Sequence, residues 1–390
     1  MKPHVALIVE TSSIYGREVL AGVMRFTRSC EDWSIFLQQR DLFSLPPDWL
    51  QSWSGQGIIS RLSTPELRET VVRAGVPMVE LTDRFDGALK ADIRSDDEAI
   101  GRMAAEHLLQ RGFQSFGFCG FENESWSQRR CDAFVGHVKQ RGFRVEQFAS
   151  PWINPEHPWE DDRREIAEWI AAIPRPCGIM ACNDLRGHQV LQACTLSGQR
   201  VPEEIAVIGV DNDELVCQFC QPPLSSVVPN AERVGFEAAV MLSKLMNGGP
   251  SPDDPLIIPP VDIITRLSTD VVAIDHAEVA AALAYIRENA CRGLTVDKVL
   301  ENVAVSRSTL ERQLRKHLGR TPQQEIRNVQ LRRVRELLVT TDLSAEQIAY
   351  RAGFDHPEYM HYVFKRVVGM TPGQYRQSVR IQSETAGVNG

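Results

Sequence analysis

Short apolar runs alternate with amphipathic stretches along the first 270 residues of the chain. The runs read VALIV (5–9), WSIFLQ (33–38), GIIS (57–60), PMVELT (77–82), FGFCGF (116–121), GIMAC (178–182) and IAVIGVD (205–211). Between them, apolar positions recur with helical spacing, most clearly over 15–29, 64–74, 97–111 and 127–140. Alternation of strands and helices predicts an α/β region with a parallel sheet covered on both faces.

The last 115 residues change pattern and contain an internal repeat. LTVDKVLENVAVSRSTLERQLRKHLGRTP, from Leu294, aligns with LSAEQIAYRAGFDHPEYMHYVFKRVVGMTP, from Leu343, at an offset of 49 residues before a turn and 50 after it. Each copy reads as a short helix, a tight turn and a second helix. This is the helix-turn-helix arrangement, in which the second helix enters the major groove of DNA.

Capping residues mark where these helices begin. Thr295 and Ser344 are predicted N-caps of the first helix in each copy, and Ser306 and Asp355 of the second. Pro357 then falls in the first turn of its helix, where a missing N–H costs nothing. Two roles stay open for Glu358: completing a capping interaction with Asp355, or accepting a hydrogen bond from a cytosine in the groove.

Charge separates the two regions. The chain of 390 residues has a net charge of −8, but residues 276–390 carry 17 Lys and Arg against 12 Asp and Glu, a net +5, and the rest carries −13. Several of the basic residues fall on the second helices of the repeat or on the helix that joins the copies. A basic module on an acidic body predicts a polyanion partner, double-stranded DNA, for the C-terminal region alone.

Other function classes lack a signal in the sequence. No apolar run is long enough to span a membrane, and the N-terminus lacks a signal-peptide pattern. We therefore expect a cytoplasmic protein that does not associate with a membrane. No phosphate-binding glycine loop, zinc-protease pattern or nucleophile elbow is present, so we expect neither an enzyme nor a cofactor. The nine cysteines include one CQFC at 217–220, which we interpret as buried packing and not as a metal site.

Polar side chains follow the apolar runs of the α/β region. Ligands of parallel sheets bind beyond the carboxyl ends of the strands. The residues found there are carboxylates, amides, arginines and aromatic rings: Tyr15, Arg17, Trp126, Arg130, Asn183, Asp184 and Asp211. This set suits a small polyol, although for Asn183 and Asp184 the plainer alternative of a helix cap is equally good.

The α/β region resembles the ligand-binding core of the LacI/GalR-type repressors. The segments that carry the resemblance are VALIVETSSIYG, DIRSDDEAIGRMAAEHLLQRGFQSFGFCGF, SQRRCDAF, CGIMACNDL, IAVIGVDNDEL and PPLSSV, in that order. It implies a type I periplasmic-binding-protein fold of two Rossmann-like lobes, with sugar contacts at Asp96, Arg130, Asn183 and Asp211. In those repressors a helix-turn-helix precedes this core; because the sequence opens on the first strand, we expect none before it here.

The C-terminal region resembles the AraC/XylS DNA-binding domain, through IAYRAGF, VFKR and GMTPGQYR. The resemblance implies two helix-turn-helix units joined by a long helix, with contacts to DNA from Arg307, Ser308, Glu311, Arg312 and Arg315 in the first unit and from His356, Pro357, Glu358, His361 and Lys365 in the second. Tyr362 stands where that family usually has Arg. From this departure we expect the second helix to make fewer phosphate or base contacts than the resemblance implies.

The order of the two parts resembles the activators of xylose operons over the full length. It implies a homodimer that binds direct repeats, responds to a pentose, D-xylose, and acts with RNA polymerase. The implied sugar set is Tyr15, Arg17, Trp126, Arg130, Asp184 and Asp211, joined to Asp96 and Asn183. Two alternatives remain open: a core with hydrolase or isomerase activity on a sugar, and a core without a ligand on a constitutive DNA-binding protein.

These patterns divide the chain into four segments. We predict a sugar-binding domain over 1–270, a linker over 271–277, a double helix-turn-helix domain over 278–382 and a flexible tail over 383–390.

Overall fold

The computed structural model describes residues 2–41, 44–61, 63–82, 91–152, 159–252, 254–270, 277–341 and 343–377. The chain forms two compact units, Met1–Val271 and Val272–Gly390. Most of the predicted linker and the whole predicted tail lie outside the described residues. No helix in the described ranges is both long and apolar enough to cross a membrane.

The first lobe of the first unit is built on a small parallel sheet. Its elements are β1 (His4–Ile8), α1 (Ile14–Ser29), β2 (Ser34–Leu37), β3 (Gly57–Ser60), α2 (Pro65–Arg73) and β4 (Met78–Glu80). The strands lie in the order β2-β1-β3-β4, and all pairs are parallel. Val5 to Ile8 are buried, as expected for a central strand that is covered on both faces.

The second lobe is larger. Its elements follow as β5 (Ile93–Ser95), α3 (Asp97–Gln110), β6 (Ser115–Glu122), α4 (Ser125–Gln140), β7 (Val145–Pro151), α5 (Trp159–Ala172), β8 (Cys177–Ala181), α6 (Asp184–Leu196), β9 (Ile205–Val210), α7 (Glu214–Phe219) and β10 (Ser225–Val228).

The chain then crosses between the lobes again. It continues through α8 (Ala231–Met246), β11 (Leu256–Ile258) and β12 (Asp262–Ile264). Helix α8 packs on α1 of the first lobe, β11 pairs with β5, and β12 joins the second sheet, whose order is β12-β10-β9-β8-β6-β7. The first sheet is parallel, and the second is parallel except for its antiparallel edge strand β12. Two such sheets linked by repeated crossings confirm the predicted two-lobed, periplasmic-binding-protein-like fold.

The second unit is helical. It contains α9 (Ala277–Asn289), α10 (Val296–Asn302), α11 (Arg307–Leu318), α12 (Pro322–Thr340), α13 (Ala345–Arg351) and α14 (Pro357–Val368). The pairs α10/α11 and α13/α14 are the two predicted helix-turn-helix units, and α12 joins them. Each unit has its own hydrophobic core, centred on Leu310 and Leu314 in the first and on Met360 and Phe364 in the second.

Candidate functional site

A cleft between the two lobes lies at the carboxyl ends of their strands. Its volume is about 230 Å³, below the range of roughly 300 to 1,000 Å³ that is usual for drug-sized ligands. Among the described residues its lining holds four arginines and four aspartates. A small cleft with balanced charge suits a neutral, hydroxyl-rich ligand better than an anion.

Tyr15 lies on the first-lobe side of the cleft. Ser13 caps α1 by accepting from the N–H of Gly16 at 3.0 Å, and this start of the helix directs the next residues toward the cleft. The Tyr15 hydroxyl is 3.0 Å from Ser95 Oγ, and the guanidinium of Arg61 lies 4.9 Å from the ring centroid. Arg61 is held in place by an ion pair with the buried Glu10. Burial raises the pKa of Tyr15, so its hydroxyl stays protonated and can donate.

Asp97 is the carboxylate that α3 contributes to the cleft. It is 4% exposed and accepts from Arg129 at 2.8 Å and from Arg130 at 2.9 Å. Its neighbour Asp96, expected to contact sugar, instead caps α3 by accepting from Ala99 N at 2.8 Å and does not line the cleft. Since consecutive residues at a helix start point in different directions, a shift of one position decides which carboxylate faces the ligand.

Arg130 is positioned by a second, fixed contact. Besides Asp97, it donates to the carbonyl oxygen of Cys182 at 2.6 Å, and it is 4% exposed. Its guanidinium lies 4.8 Å from the ring centroid of Trp126. Arg130 therefore ties the start of α4 to the end of β8 and lines the cleft, as predicted.

Two tryptophans form an aromatic wall. Trp126 donates from Nε1 to Glu124 at 2.9 Å and meets Trp152 nearly edge to face, with centroids 5.5 Å apart at 75°. Trp152 stacks on Phe121 at 5.0 Å and 11°. Such a rigid corner covers apolar C–H faces and limits the length of a ligand.

Asn183 and Asp184 line the cleft and also start α6. The Asn183 side-chain oxygen accepts from Arg186 N at 2.9 Å, so the group that it can offer to a ligand is its NH₂ donor. The oxygens of Asp184 accept from Ser226 Oγ at 2.6 Å, Asp213 N at 2.7 Å and Cys217 Sγ at 3.4 Å. Burial and the nearby Asp211 raise the pKa of Asp184 well above its usual value. The helix-cap alternative thus accounts for the side-chain oxygen of Asn183, whereas Asp184 holds the start of α7 and Ser226 of β10.

Asp211 differs from the other aspartates of the cleft. Among the described residues its carboxylate accepts no hydrogen bond, and its backbone has a φ of +105°, which is strained for a residue with a side chain. Burial raises the pKa of Asp211 to about 6, against the opposing pull of Arg130 and Arg61. A half-buried carboxylate without a hydrogen bond is an acceptor available to a ligand hydroxyl.

Arg17 lies outside the cleft. It donates to the carbonyl oxygens of Thr11 and Ser12 at 3.1 and 2.9 Å, so it braces the loop that leads into α1. Conversely, Asp97, Arg61, Arg129 and Trp152 line the cleft and were missed by the sequence reasoning. Arg61 directly follows GIIS and could have been found by the rule applied to the other strands; Trp152 follows β7, which was not predicted.

The first helix-turn-helix exposes a basic recognition helix. Ser306 caps α11 by accepting from Thr309 N at 3.2 Å, as predicted. The side chains of Arg307, Ser308, Arg312 and Arg315 are exposed, and Glu311 is half-buried. Arg307 is ion-paired with Asp297 of α10, so among the predicted contacts Arg312 and Arg315 are the arginines most available to DNA.

The second recognition helix is less basic on its exposed face. His356, Glu358, His361 and Lys365 are exposed, and Tyr362 is 60% exposed. The predicted cap at Asp355 is wrong: His356 occupies the N-cap position without a side-chain cap hydrogen bond, and Pro357 follows at the first turn as predicted. Among the described residues, Glu358 therefore makes no capping hydrogen bond at this helix start.

Comparison with known proteins agrees with the two-part organisation of the chain. Family models match in order: XylR N-terminal domain over 4–90, periplasmic binding protein-like domain over 105–269, and helix-turn-helix domain over 299–378. The xylose operon regulatory protein of Haemophilus influenzae is 30% identical over 95% of this chain and 97% of its own, and that of Escherichia coli K12 is 31% identical over 96% of each.

A solved structure of the xylose-binding transcription activator XylR is also similar. It has a TM-score of 0.80 and 29% identity, and the match covers 97% of this chain and 98% of that one. Relatives of this similarity over nearly the whole length are named as regulators and not as enzymes. The chain therefore belongs to the xylose operon regulatory proteins: it is a transcription regulator with a periplasmic-binding-protein-like sugar-binding domain and an AraC-type DNA-binding domain.

Proposed function

We propose that D-xylose binds in the cleft and that its binding controls how the double helix-turn-helix domain engages DNA. The relatives' names point to xylose, and the cleft is consistent with it. A volume of about 230 Å³ and a lining with equal numbers of arginines and aspartates favour one neutral monosaccharide. Clefts of this size exclude oligosaccharides.

The role of each polar group in the cleft follows from the donors or acceptors that it does not use in hydrogen bonds within the protein. Asp211 accepts from sugar hydroxyls, and Asn183 donates from its amide nitrogen. Tyr15 and Arg130 donate across the cleft from its two sides, and the Trp126 and Trp152 corner covers the C–H face of the ring. Asp96, Asp184 and Arg17 act indirectly, by holding helix starts and loops.

The observation that carries the proposal is the state of Asp211. Desolvation and a strained backbone both cost free energy in the empty cleft, and among the described residues no hydrogen bond to the carboxylate offsets them. A sugar hydroxyl supplies that hydrogen bond, and charge-assisted bonds of this kind are about twice as strong as neutral ones. The site is thus arranged for a hydroxyl donor.

Sugar binding regulates only if it favours one arrangement of the protein over another. We propose that the lobes close on the sugar and that closure changes the geometry of a homodimer on direct repeats. DNA binding then recruits RNA polymerase in the cytoplasm, so that the protein acts as an activator. The AraC-type domain and the names of the relatives support this; the dimer and the polymerase contact are part of the proposal.

Calorimetric titration of the full chain tests the sugar assignment. D-Xylose should release heat with one site per chain, whereas D-glucose, which adds a CH₂OH group to the same ring stereochemistry, should not fit beside the tryptophan corner. Asp211→Asn should weaken D-xylose binding by about 10- to 100-fold, through loss of a charged acceptor. The exposed Asp262→Asn is the matched control. Absence of heat with D-xylose, L-arabinose and D-ribose alike would refute a pentose effector.

A further inference from the structure

Helix α12 connects the two helix-turn-helix units and is shared by both of their cores. Its first half contributes Ile326 to the core of the first unit, and its second half contributes Leu331 and Val334 to the core of the second. Gln330 lies between these halves and is 3% exposed. A buried polar side chain at the boundary of two apolar cores requires an explanation in hydrogen bonds.

Gln330 bonds to both units at once. Its Nε2 donates to the carbonyl oxygen of Ala290, in the turn after α9, at 2.9 Å, and to that of Gly353, in the turn between α13 and α14, at 2.8 Å. Its Oε1 accepts from Arg327 at 2.9 Å. Both N–H groups and the oxygen of the amide are therefore used, one bond to each unit and one within α12.

Arg327 extends the contact to the second recognition helix. Its guanidinium lies 4.7 Å from the ring centroid of Phe354 and 4.8 Å from that of Tyr359, and Tyr359 is on α14. Arg327 is one of the basic residues on the helix that joins the two copies of the repeat. Its contacts give it a different role, because it connects the amide of Gln330 to the start of α14.

The two turns also approach each other directly. Gly353 has a φ of +77°, and a Cβ at this position would lie 2.7 Å from the backbone of Cys291 and 2.8 Å from the carbonyl oxygen of Ala290. Only glycine permits this approach. The turn of the second unit is thus seated against the turn after α9, with Gln330 bonded to both.

We infer that Gln330, braced by Arg327, is a positioning residue that fixes the angle between the two helix-turn-helix units and thereby sets the spacing of the DNA segments that one protomer recognises. The inference rests on the proposed binding of both units to DNA. Adjacent recognition helices separated by one turn of DNA tolerate little change, since one inserted base pair rotates the second segment by about 35°. If the connection between the two units, here called the joint, is rigid, a changed spacing causes a large loss of DNA affinity. If the joint is flexible, the loss is smaller.

The test compares affinities of the full chain for related DNA duplexes. A duplex selected by the wild-type protein from random sequence is mapped by footprinting, and one base pair is then inserted or deleted between the two segments that one protomer protects. The wild type should lose about tenfold or more in affinity, as for loss of one good base contact. Gln330→Met, similar in length but unable to donate, should lose less than about threefold, because the second unit can reorient.

The ratio of affinities for altered and parent DNA separates positioning from folding. Simple destabilisation lowers both affinities together and leaves the ratio unchanged, so an unchanged ratio in Gln330→Met overturns the inference. Gln323→Met, an exposed glutamine on the same helix, should keep the wild-type ratio. If the wild type itself shows no dependence on spacing, binding by two units fails as a proposal, and the joint must be judged by a second measurement.

Hydrogen exchange of the full chain provides that measurement and also applies if Gln330→Met binds no DNA. Exchange should accelerate in the two turns, residues 290–293 and 352–354, while α11 and α14 keep the protection of the wild type. Loss of protection throughout both cores would show that Gln330 only supports folding, and an unchanged pattern would show that it supports neither; either result overturns the inference.

Discussion

At the scale of single residues, Asp211 sets the properties of the cleft. A carboxylate that is partly buried on a strained backbone destabilises the empty protein. Since its pKa is raised to about 6, the native state binds this proton more tightly than the unfolded chain, and stability falls as pH rises from about 4 to 6. Asp211 thus favours ligand binding but lowers the stability of the protein without ligand.

Replacing this carboxylate should therefore stabilise the protein. Asp211→Asn removes the charge and keeps a residue type that tolerates positive φ, so at pH 7.5 we expect unfolding to become harder by about 1 kcal/mol, with the gain disappearing below about pH 4. Thermal melts at both pH values measure this. Asp184→Ala should act in the opposite direction, because it leaves the N–H of Asp213 and the hydroxyl of Ser226 unpaired. A lower melting temperature for Asp211→Asn at pH 7.5 would contradict the assignment.

The same raised pKa predicts how sugar affinity depends on pH. A hydroxyl donates best to the ionised carboxylate, so binding of D-xylose should weaken as pH falls through about 6, where Asp211 takes up a proton in the empty cleft. Arg130 and Arg61 favour ionisation, and Glu18 and Asp97 oppose it. Calorimetry between pH 5 and pH 8 measures the change. Asp211→Asn should bind weakly at every pH, and a wild-type affinity independent of pH would exclude Asp211 as the acceptor.

On the DNA side, charge assigns unequal weight to the two recognition helices. Arg312 is exposed on α11, whereas the matching position of α14 presents Tyr362, which carries no charge. Arg312→Ala should weaken binding and, if the contact is to phosphate, lower the slope of log affinity against log salt by about 1. Fluorescence anisotropy at several salt concentrations measures both. Tyr362→Ala should leave the slope unchanged, as should Arg28→Ala, an exposed arginine of the first unit. If the slope of log affinity against log salt were the same for Arg312→Ala and wild type, Arg312 would not contact phosphate.

At the scale of elements, the sequence left two roles open for Glu358 at the start of α14: a capping interaction or a contact to a base. The N-cap is His356 and makes no side-chain cap bond, so the capping role lacks a partner. Glu358→Ala should then change stability by less than about 0.5 kcal/mol, as for an ordinary surface substitution, and should alter base preference in the second DNA segment. Selection of DNA from random sequence, with a parallel thermal melt, distinguishes the roles. If Glu358→Ala lowered stability and left base preference unchanged, Glu358 would have the capping role instead.

Element positions followed closely from the sequence, because period and caps are local properties. The seven predicted runs became strands shifted by no more than two residues at an end, and Ser306 and Ser344 cap their helices as expected. Strands of three residues such as β5 and β11 were missed, since they are too short to show alternation. These two strands form because they pair with each other where the chain crosses between the lobes.

Site residues were harder to predict, because they depend on direction as well as on position. Asp96 and Asp97 are equivalent in any pattern of polarity, and only the start of α3 decides that Asp97 faces the cleft. Arg17 is turned back by carbonyl oxygens of its own loop. Gln330 gave no signal at all, since a glutamine in a helix is unremarkable until the two carbonyl oxygens beside it are known.

At the scale of the whole molecule, α3 links the cleft to the end of the first unit. Asp97 at its start lines the cleft, and His107 and Arg111 near its other end bond to Thr269, His107 Nε2 to the hydroxyl at 2.8 Å and Arg111 Nε to the carbonyl oxygen at 2.7 Å. Burial beside Arg111 lowers the pKa of His107 to about 3, so the ring is neutral. Because Arg111 Nη1 donates to Nδ1 at 3.1 Å, the hydrogen lies on Nε2, which donates to Thr269. Under the proposed closure on sugar, a shift of α3 would therefore be passed to Thr269, near the end of the first unit.

In the proposed mechanism, D-xylose bound through Asp211 changes the affinity of the protein for DNA. The most direct measurement is the dissociation constant of the full chain for a duplex that it selects from random sequence, with and without saturating D-xylose. For an activator we predict tighter binding with the sugar, by about 5- to 150-fold, which is the usual range of coupling between sites. Asp211→Asn should show no response at the same sugar concentration. Identical wild-type curves, at concentrations where calorimetry detects binding, would contradict the account.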